Sequence, residues 1–381
     1  MTDFVINHCK AVLADSVLED ASVRIEDGHI VEIVQGKSLG FGVEARDAWL
    51  LPGFVDMHSD AVEKAVEPRP KARFPVEVAL RELDRSLAGW GITTIYHSLS
   101  FAEMELGLRS NATANELIDG ICDIAPLLRV NTRIHARFEI TDIEAVPLLK
   151  RQIDKRHIDL LSFMDHSPGQ GQYRDTDAYK SYYGKVYAKS EAELEQMLKR
   201  KADAHERGLE DVVADLADHC RKRWVPMASH DDDCLEKIQW CVREGVAMSE
   251  FPISIETARQ ARDAGIKTCL GSPNLVRGGS QAGNLSARTC LEAGFGDILC
   301  SDYLPQSILH AVFLLKAWGV RPLHEAVAMA SIVPAQAVGI GNKTGSIEVG
   351  KHADLLLVAQ RHGHPDILHT WVRGREVYAS C

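Results

Sequence analysis

The residues best suited to chemistry stand at the ends of apolar runs. Phe54-Val55-Asp56-Met57 closes in His58-Ser59-Asp60. Alternate side chains of a strand share a face, so His58 and Asp60 project together. A neutral imidazole and a carboxylate on one strand end make half of a divalent-metal site. Glu139, His166, His230 and Asp302 stand at the ends of four further runs. Any one of the histidines is equally well a core or loop imidazole satisfied by its neighbours. Six ligand-type residues at strand ends are harder to explain as packing, because a buried carboxylate needs a partner. A shared metal supplies that partner. Three histidines and three carboxylates can hold one or two divalent ions, with Glu139 the natural bridge. The imidazole share suits Zn first, and Mn or Fe(II) as alternatives, over Ca or Mg.

A bound divalent ion brings the pKa of its water to about 7, and a pair of ions can clamp both oxygens of an in-line phosphoryl displacement. Asp302 is then either the general base that takes the water's proton or a plain structural ligand. Donors for an anionic substrate lie in Asn274 and the run Arg277-Gly278-Gly279-Ser280. Such a loop brings backbone N–H groups and one guanidinium to a phosphate, and it also reads as an ordinary strand–helix connection. Arg69, Lys71 and Arg73 form a local basic run after the first strand, or a solvated loop.

These residues need elements to hold them. The middle of the chain alternates strand-like runs (91–97, 133–139, 158–166, 224–230, 246–250, 267–272, 297–302) with helical stretches, the signature of βα units around a parallel sheet. With the run before His58 they number eight, which closes a (β/α)8 barrel whose strand ends converge on one face. Short β-like pieces recur at both termini, around Phe4–Ile33 and Gly345–Tyr378. The expected fold is therefore α/β: a TIM-like (β/α)8 barrel over 50–341, with a small β-sandwich domain formed by both termini, 1–49 with 342–381. A stretch at about 173–222, carrying Tyr179, Tyr182, Tyr183, Lys185 and Tyr187, is too long for a simple loop. It reads as a lid over the barrel mouth or as a surface helical excursion or subunit contact.

Composition bounds the rest. The 381 residues are 45% hydrophobic and 25% charged, enough for a sizeable core. A net charge of −11 without a basic block argues against nucleic acid as a partner. No run reaches the length of a membrane helix and the N-terminus lacks a signal-peptide pattern, so the expectation is a cytoplasmic protein, with homo-oligomerisation left open. Nine cysteines without a C-x-x-C pair fit reduced, buried thiols.

The run 50–58, the late Ser301-Asp302 and the tail 345–355 together resemble the amidohydrolase superfamily. His58-Ser59-Asp60, Pro68-Arg69-Pro70, the segment 164–170, 228–232, 272–280 and Ser301-Asp302-Tyr303 are similar to one branch of it, the diphosphatases of the carbon–phosphorus lyase pathway. The resemblance implies a metal-dependent hydrolase that cleaves α-D-ribose 1-methylphosphonate 5-triphosphate to the 5-phosphate and pyrophosphate. It also implies that His58, Asp60, Glu139, His166, His230 and Asp302 are metal ligands or their close neighbours. Against the wider superfamily, Asp60 replaces a second histidine and a glutamate replaces a carbamylated lysine bridge. His97, Gly171 and Gln281 depart from the branch, where Asp, Arg and His respectively are expected. Two rival readings stand beside this one: a C–N or C–O hydrolase of the same superfamily, such as a deacetylase or deaminase, and a non-catalytic accessory subunit of a phosphonate-processing assembly.

Overall fold

A computed structural model describes residues 3–103, 110–167, 199, 201, 203–204, 208–280 and 283–380. Gly171, Gln281 and the tyrosine-rich part of the expected insertion lie outside the described residues. The end of that insertion is a regular element: helix Leu209–Arg223 buries Leu209, Val213, Leu216 and Cys220 as the connection between two barrel strands.

The termini supply β1 (Phe4–Val12), β2 (Val17–Glu26), β3 (His29–Gln35), the short β4 (Val43–Glu44) and β5 (Trp49–Pro52). The barrel strands are β6 (Phe54–Ser59), β7 (Ile92–Phe101), β8 (Asn131–Glu139), β9 (Leu160–Met164), β10 (Met227–His230), β11 (Met248–Glu250), β12 (Lys267–Gly271) and β13 (Ile298–Cys300). The chain returns to the first sheet as β14 (Leu355–Arg361), β15 (His364–Val372) and β16 (Arg375–Ala379). The terminal sheet runs β16-β15-β14-β5-β1-β2-β3, with β4 on β1. It curls until the Asp27-Gly28 turn meets the Arg373-Gly374 turn, enclosing Ile6, Val23, Ile25, Leu50, Leu355 and Trp371. Leu50, Leu51 and Pro52, assigned from the sequence to the barrel, are in β5 and belong to this sheet.

The parallel barrel runs in chain order from β6 to β13. Its seam is closed in two ways. At the C-terminal ends, Asp302 donates its backbone N–H to His58 (3.0 Å), and Asp60 donates its own to Asp302 (2.7 Å). At the N-terminal ends, the carbonyls of Met329 and Ala330 accept from Leu299 and Val55, so this short segment fills the gap between β13 and β6. Val55, Met57, Leu160, Ala228, Met248, Cys269 and Ile298 fill the lower interior, and helix Ile332–Ala337 contributes Ala335 to the same cluster. The outward strand residues, such as Ile95, Ile134, Phe138 and Leu161, pack under the helices. Among the described residues no helix is long and apolar enough to cross a membrane, and eight cysteines are free thiols.

Gly53 sits where β5 hands over to β6. A Cβ there would lie 2.2 Å from the Thr93 hydroxyl oxygen, inside contact distance, and Thr93 is fully buried. Gly53→Ala should therefore overpack the joint between the two sheets and cost about 1–3 kcal/mol. Urea unfolding followed by circular dichroism checks this, and an unchanged midpoint would contradict it.

Candidate metal centre

Interior-facing residues alternate along each strand, and the cross-strand register links them. Ser100 opposes Arg137, Arg137 opposes Ser162, Ser162 opposes Ala228, and His230 opposes Glu250. The first strand reaches the site differently. Val55 and Met57 face inward, so simple alternation would turn His58 outward. Between Asp56 and Ser59, however, three residues of β6 advance against two of β7, Ile95 to His97. This bulge re-aims the strand end, as bulges beside sites commonly do. It brings His58 into the interior, where its ring lies 4.9 Å from that of His135 and 5.7 Å from that of His230.

His58 and Glu250 form the anchor. His58 Nδ1 lies 2.9 Å from Glu250 Oε1, and the Ser162 hydroxyl donates to the other carboxylate oxygen at 2.8 Å. Burial opposes charge on Glu250, but the neighbouring His58 and His135 outweigh it and hold the carboxyl below its ordinary range. With Nδ1 directed at Glu250, His58 Nε2 is left buried with no hydrogen-bond partner among the described residues, 3.8 Å from Asp60 Oδ1. Donor atoms of His58, Asp60 and Asp302 lie within 4.8 Å of one another, as do those of His58, His230 and Glu250, and of His166, His230 and Asp231. An orphaned imidazole nitrogen, oriented by a carboxylate and flanked by two further carboxylates, fits a divalent cation. Burial, and then the charge of Asp60, push Asp302 up to about 7, which shows how much negative charge this corner holds.

Arg137 joins the two halves of the cluster. Its Nη1 donates to both Asp60 oxygens, at 2.9 and 3.0 Å, and its Nη2 to His230 Nε2 at 3.1 Å. That bond makes His230 Nε2 an acceptor, in keeping with a ring whose pKa burial lowers. Glu139 is tied elsewhere. Lys201 (2.9 Å) and the Thr141 hydroxyl (2.8 Å) donate to its Oε1, and His166 Nδ1 lies 3.1 Å from Oε2. It belongs to none of the three close donor groups, so Arg137 rather than Glu139 spans them among the described residues. Asp231 and Phe251, each directly after a strand, and Asp302, two residues past the end of β13, take left-handed backbone (φ 52°, 56° and 54°). Each gives its N–H to a strand alongside: to Glu250, Cys269 and His58 respectively.

The expected anion donors are dispersed. Arg277 ends the short helix Ser272–Arg277 at the surface, and its Nη1 donates to the Tyr303 hydroxyl at 3.3 Å. Lys64 lies 5.2 Å from the Tyr303 ring centre, so two cations flank the residue after Asp302. Gly278 is the left-handed cap of that helix (φ 83°), followed by Gly279 and Ser280. The Asn274 amide is used within the fold: it donates to Leu285 O and accepts from Ala287 N. Arg69 and Lys71 form an exposed turn closed by Ala72 N to Arg69 O, and Arg73 pairs with Glu116. His97 shares the outward face of β7 with Ile95 and Leu99, away from the donors, and burial lowers its pKa to about 4.

Glu250, His135, Arg137, Asp231 and Lys201 escape a sequence reading that looks for paired ligand types. Glu250 carries the same signal as the others, an acid ending an apolar run. The Arg137–Glu139 spacing places both on the His135 face. Because Glu250 orients His58, Glu250→Gln should weaken divalent-cation affinity by about 10–100-fold. Elemental analysis and metal titration of the purified variant measure this, with circular dichroism to verify the fold. Wild-type affinity would reduce Glu250 to a buried packing group.

The amidohydrolase family model matches residues 185–377. The chain is 31% identical over 379 residues, 98% of its length and 100% of the relative's, to the alpha-D-ribose 1-methylphosphonate 5-triphosphate diphosphatase of Escherichia coli strain K12. Among solved structures, a putative prolidase from Bifidobacterium longum superposes with a TM-score of 0.64 at 16% identity, covering 99% of this chain and 94% of that one. The N-acetylglucosamine-6-phosphate deacetylase of Pasteurella multocida does so at 0.64 and 12%, covering 100% of both chains. These two likenesses establish the shared fold. The chain belongs to the amidohydrolase family.

Proposed function

We propose that this hydrolase cleaves the phosphoanhydride bond between the first and second phosphates of a ribose 5-triphosphate, releasing intact pyrophosphate. The intended substrate is α-D-ribose 1-methylphosphonate 5-triphosphate. The observation that carries this reading is the near-full-length similarity to the diphosphatase that bears that name. The cluster suits the chemistry. A divalent cation held by His58 Nε2, Asp60 and Asp302 would supply hydroxide near neutral pH. Asp302, buried beside Asp60, would take the water's proton. Arg137 puts a planar, permanently charged guanidinium against Asp60 and His230, so a phosphate reaching these residues meets a cation that can follow charge onto its oxygens. Arg277 and Lys64, both at Tyr303, are the cations proposed to take the departing pyrophosphate. A deacetylase-type C–N hydrolase is the second reading, favoured by 38% identity over 72 residues to the N-acetylglucosamine-6-phosphate deacetylase of Vibrio furnissii. That match covers 19% of this chain, and a turnover screen with acetylated sugar phosphates separates the two.

A single turnover in ¹⁸O-labelled water tests the bond assignment. Label should enter the ribose monophosphate while pyrophosphate leaves unlabelled. Orthophosphate as first product, or labelled pyrophosphate, would overturn the assignment. Arg137→Lys keeps one positive charge but loses the two-pronged donor geometry, so kcat should fall about 10²–10³-fold. Metal content should stay unchanged in that variant, and a rate within threefold of wild type would remove Arg137 from the chemistry.

A further inference from the structure

A cationic cleft lies at the opposite end of the barrel, where the start of β8 meets the β15–β16 turn. It encloses about 480 Å³ and is lined by Arg129, Arg133, Arg373 and Arg375, with Asn131 and Thr132 between them. That volume falls in the range of small-molecule sites, roughly 300–1,000 Å³. Two of the arginines are answered by acids: Arg129 lies 3.4 Å from Asp84, and Arg133 lies 2.6 Å from Asp159. The other two form no ion pair among the described residues. Arg375 donates through Nη2 to the Leu128 and Arg129 carbonyls, which fixes its position without cancelling its charge. The Arg373 guanidinium makes no hydrogen bond or ion pair among the described residues. Buried Asp354 is the acid at this turn; it accepts from the Arg373 backbone N–H and the Thr344 hydroxyl, and the Arg373 charge acts on it through space without an ion pair.

Arg373 also stands at an unusual backbone position. Arg373 and Gly374 are the central residues of a two-residue hairpin turn, with φ of 48° and 70°. That turn favours Asn or Gly at its first central position, since a side chain with positive φ is strained. A long cation is therefore held at a strained position, on a chain of net charge −11, beside three more arginines.

We propose that this cleft binds the phosphate groups of a phosphorylated small molecule, with Arg373 and Arg375 as the charge-matching donors. Arginine's planar fork suits phosphate oxygens in pairs. The site shares no residue with the metal centre, so the proposal stands or falls apart from the reaction assigned there.

Titration of the full chain with ATP by isothermal calorimetry tests it, against the Arg373→Asn, Arg375→Gln double variant. Wild type should take up one more equivalent of ATP per chain than the variant, or bind that equivalent at least tenfold more tightly. Hydrogen exchange should slow over residues 125–133 and 372–375 when ATP is added, and only in wild type. Arg375→Gln also gives up bonds to the Leu128 and Arg129 carbonyls. The single Arg373→Asn variant, in which Asn suits the left-handed position better than Arg, should unfold no earlier than wild type. It should still bind ATP at the cleft at least tenfold more weakly than wild type, which separates lost binding from lost fold. Adenosine should not bind at the cleft, and citrate should bind at least tenfold more weakly than ATP. Equal ATP uptake by the two proteins, protection absent from the two cleft segments, or citrate binding as tightly as ATP would overturn the proposal.

Discussion

The guanidinium of Arg137, held between Asp60 and His230, is the contact on which the upper barrel depends. Charges removed from water are tolerated only where each meets a partner in good geometry. Here the partners form a continuous set. Glu250 sits between His58 and His135, Lys201 meets Glu139, and Arg137 meets Asp60. Asp302, raised by burial and by Asp60, marks the corner where negative charge is in excess. A bound cation would complete the balance there, so electrostatics and ligand type both make this corner fit for a metal.

The same residues close the fold. The barrel's upper seam is made by backbone bonds between Asp302 and the His58–Asp60 strand end, so the donors are also the closing rungs. Their side chains inherit the rigidity of a completed sheet, which a site carried on a free loop would lack. The left-handed residues after β10, β11 and β13 belong to this arrangement: each bends the chain out of its strand while giving its N–H to a strand alongside.

Much of this was legible from residue order. The alternation of apolar runs and helical stretches specified eight strands, and the polar endings pointed to the C-terminal face. The six expected donors do gather there, His58 close to Asp60, Asp302 and His230, and His166 close to Glu139 and His230. Three things were not legible. The bulge that turns His58 inward is a matter of pairing with β7, which no single strand encodes. The partners of Glu139 and Asp60, Lys201 and Arg137, look like ordinary basic residues until the fold brings them inside. Asn274 and Arg277 are one turn apart on the same short helix, yet one is spent on bonds to Leu285 and Ala287 and the other reaches Tyr303, a difference decided by tertiary contacts.

One face of β8 reads Asn131, Arg133, His135, Arg137, Glu139, and the other reads Thr132, Ile134, Ala136, Phe138. The first face runs roughly 26 Å at about 3.3 Å per residue, from the arginine cleft to the metal centre. A slip of one residue against β7 or β9 would exchange the faces. Two arginines, a histidine and a glutamate would then lie under the greasy undersides of helices, and Ile134 and Phe138 would fill the polar lumen. In an ordinary half-buried strand such a slip is resisted by the apolar face it would expose. Here the misaligned state would also bury several stranded ions, so β8 can act as the ruler that sets the alignment of its neighbours while the barrel assembles.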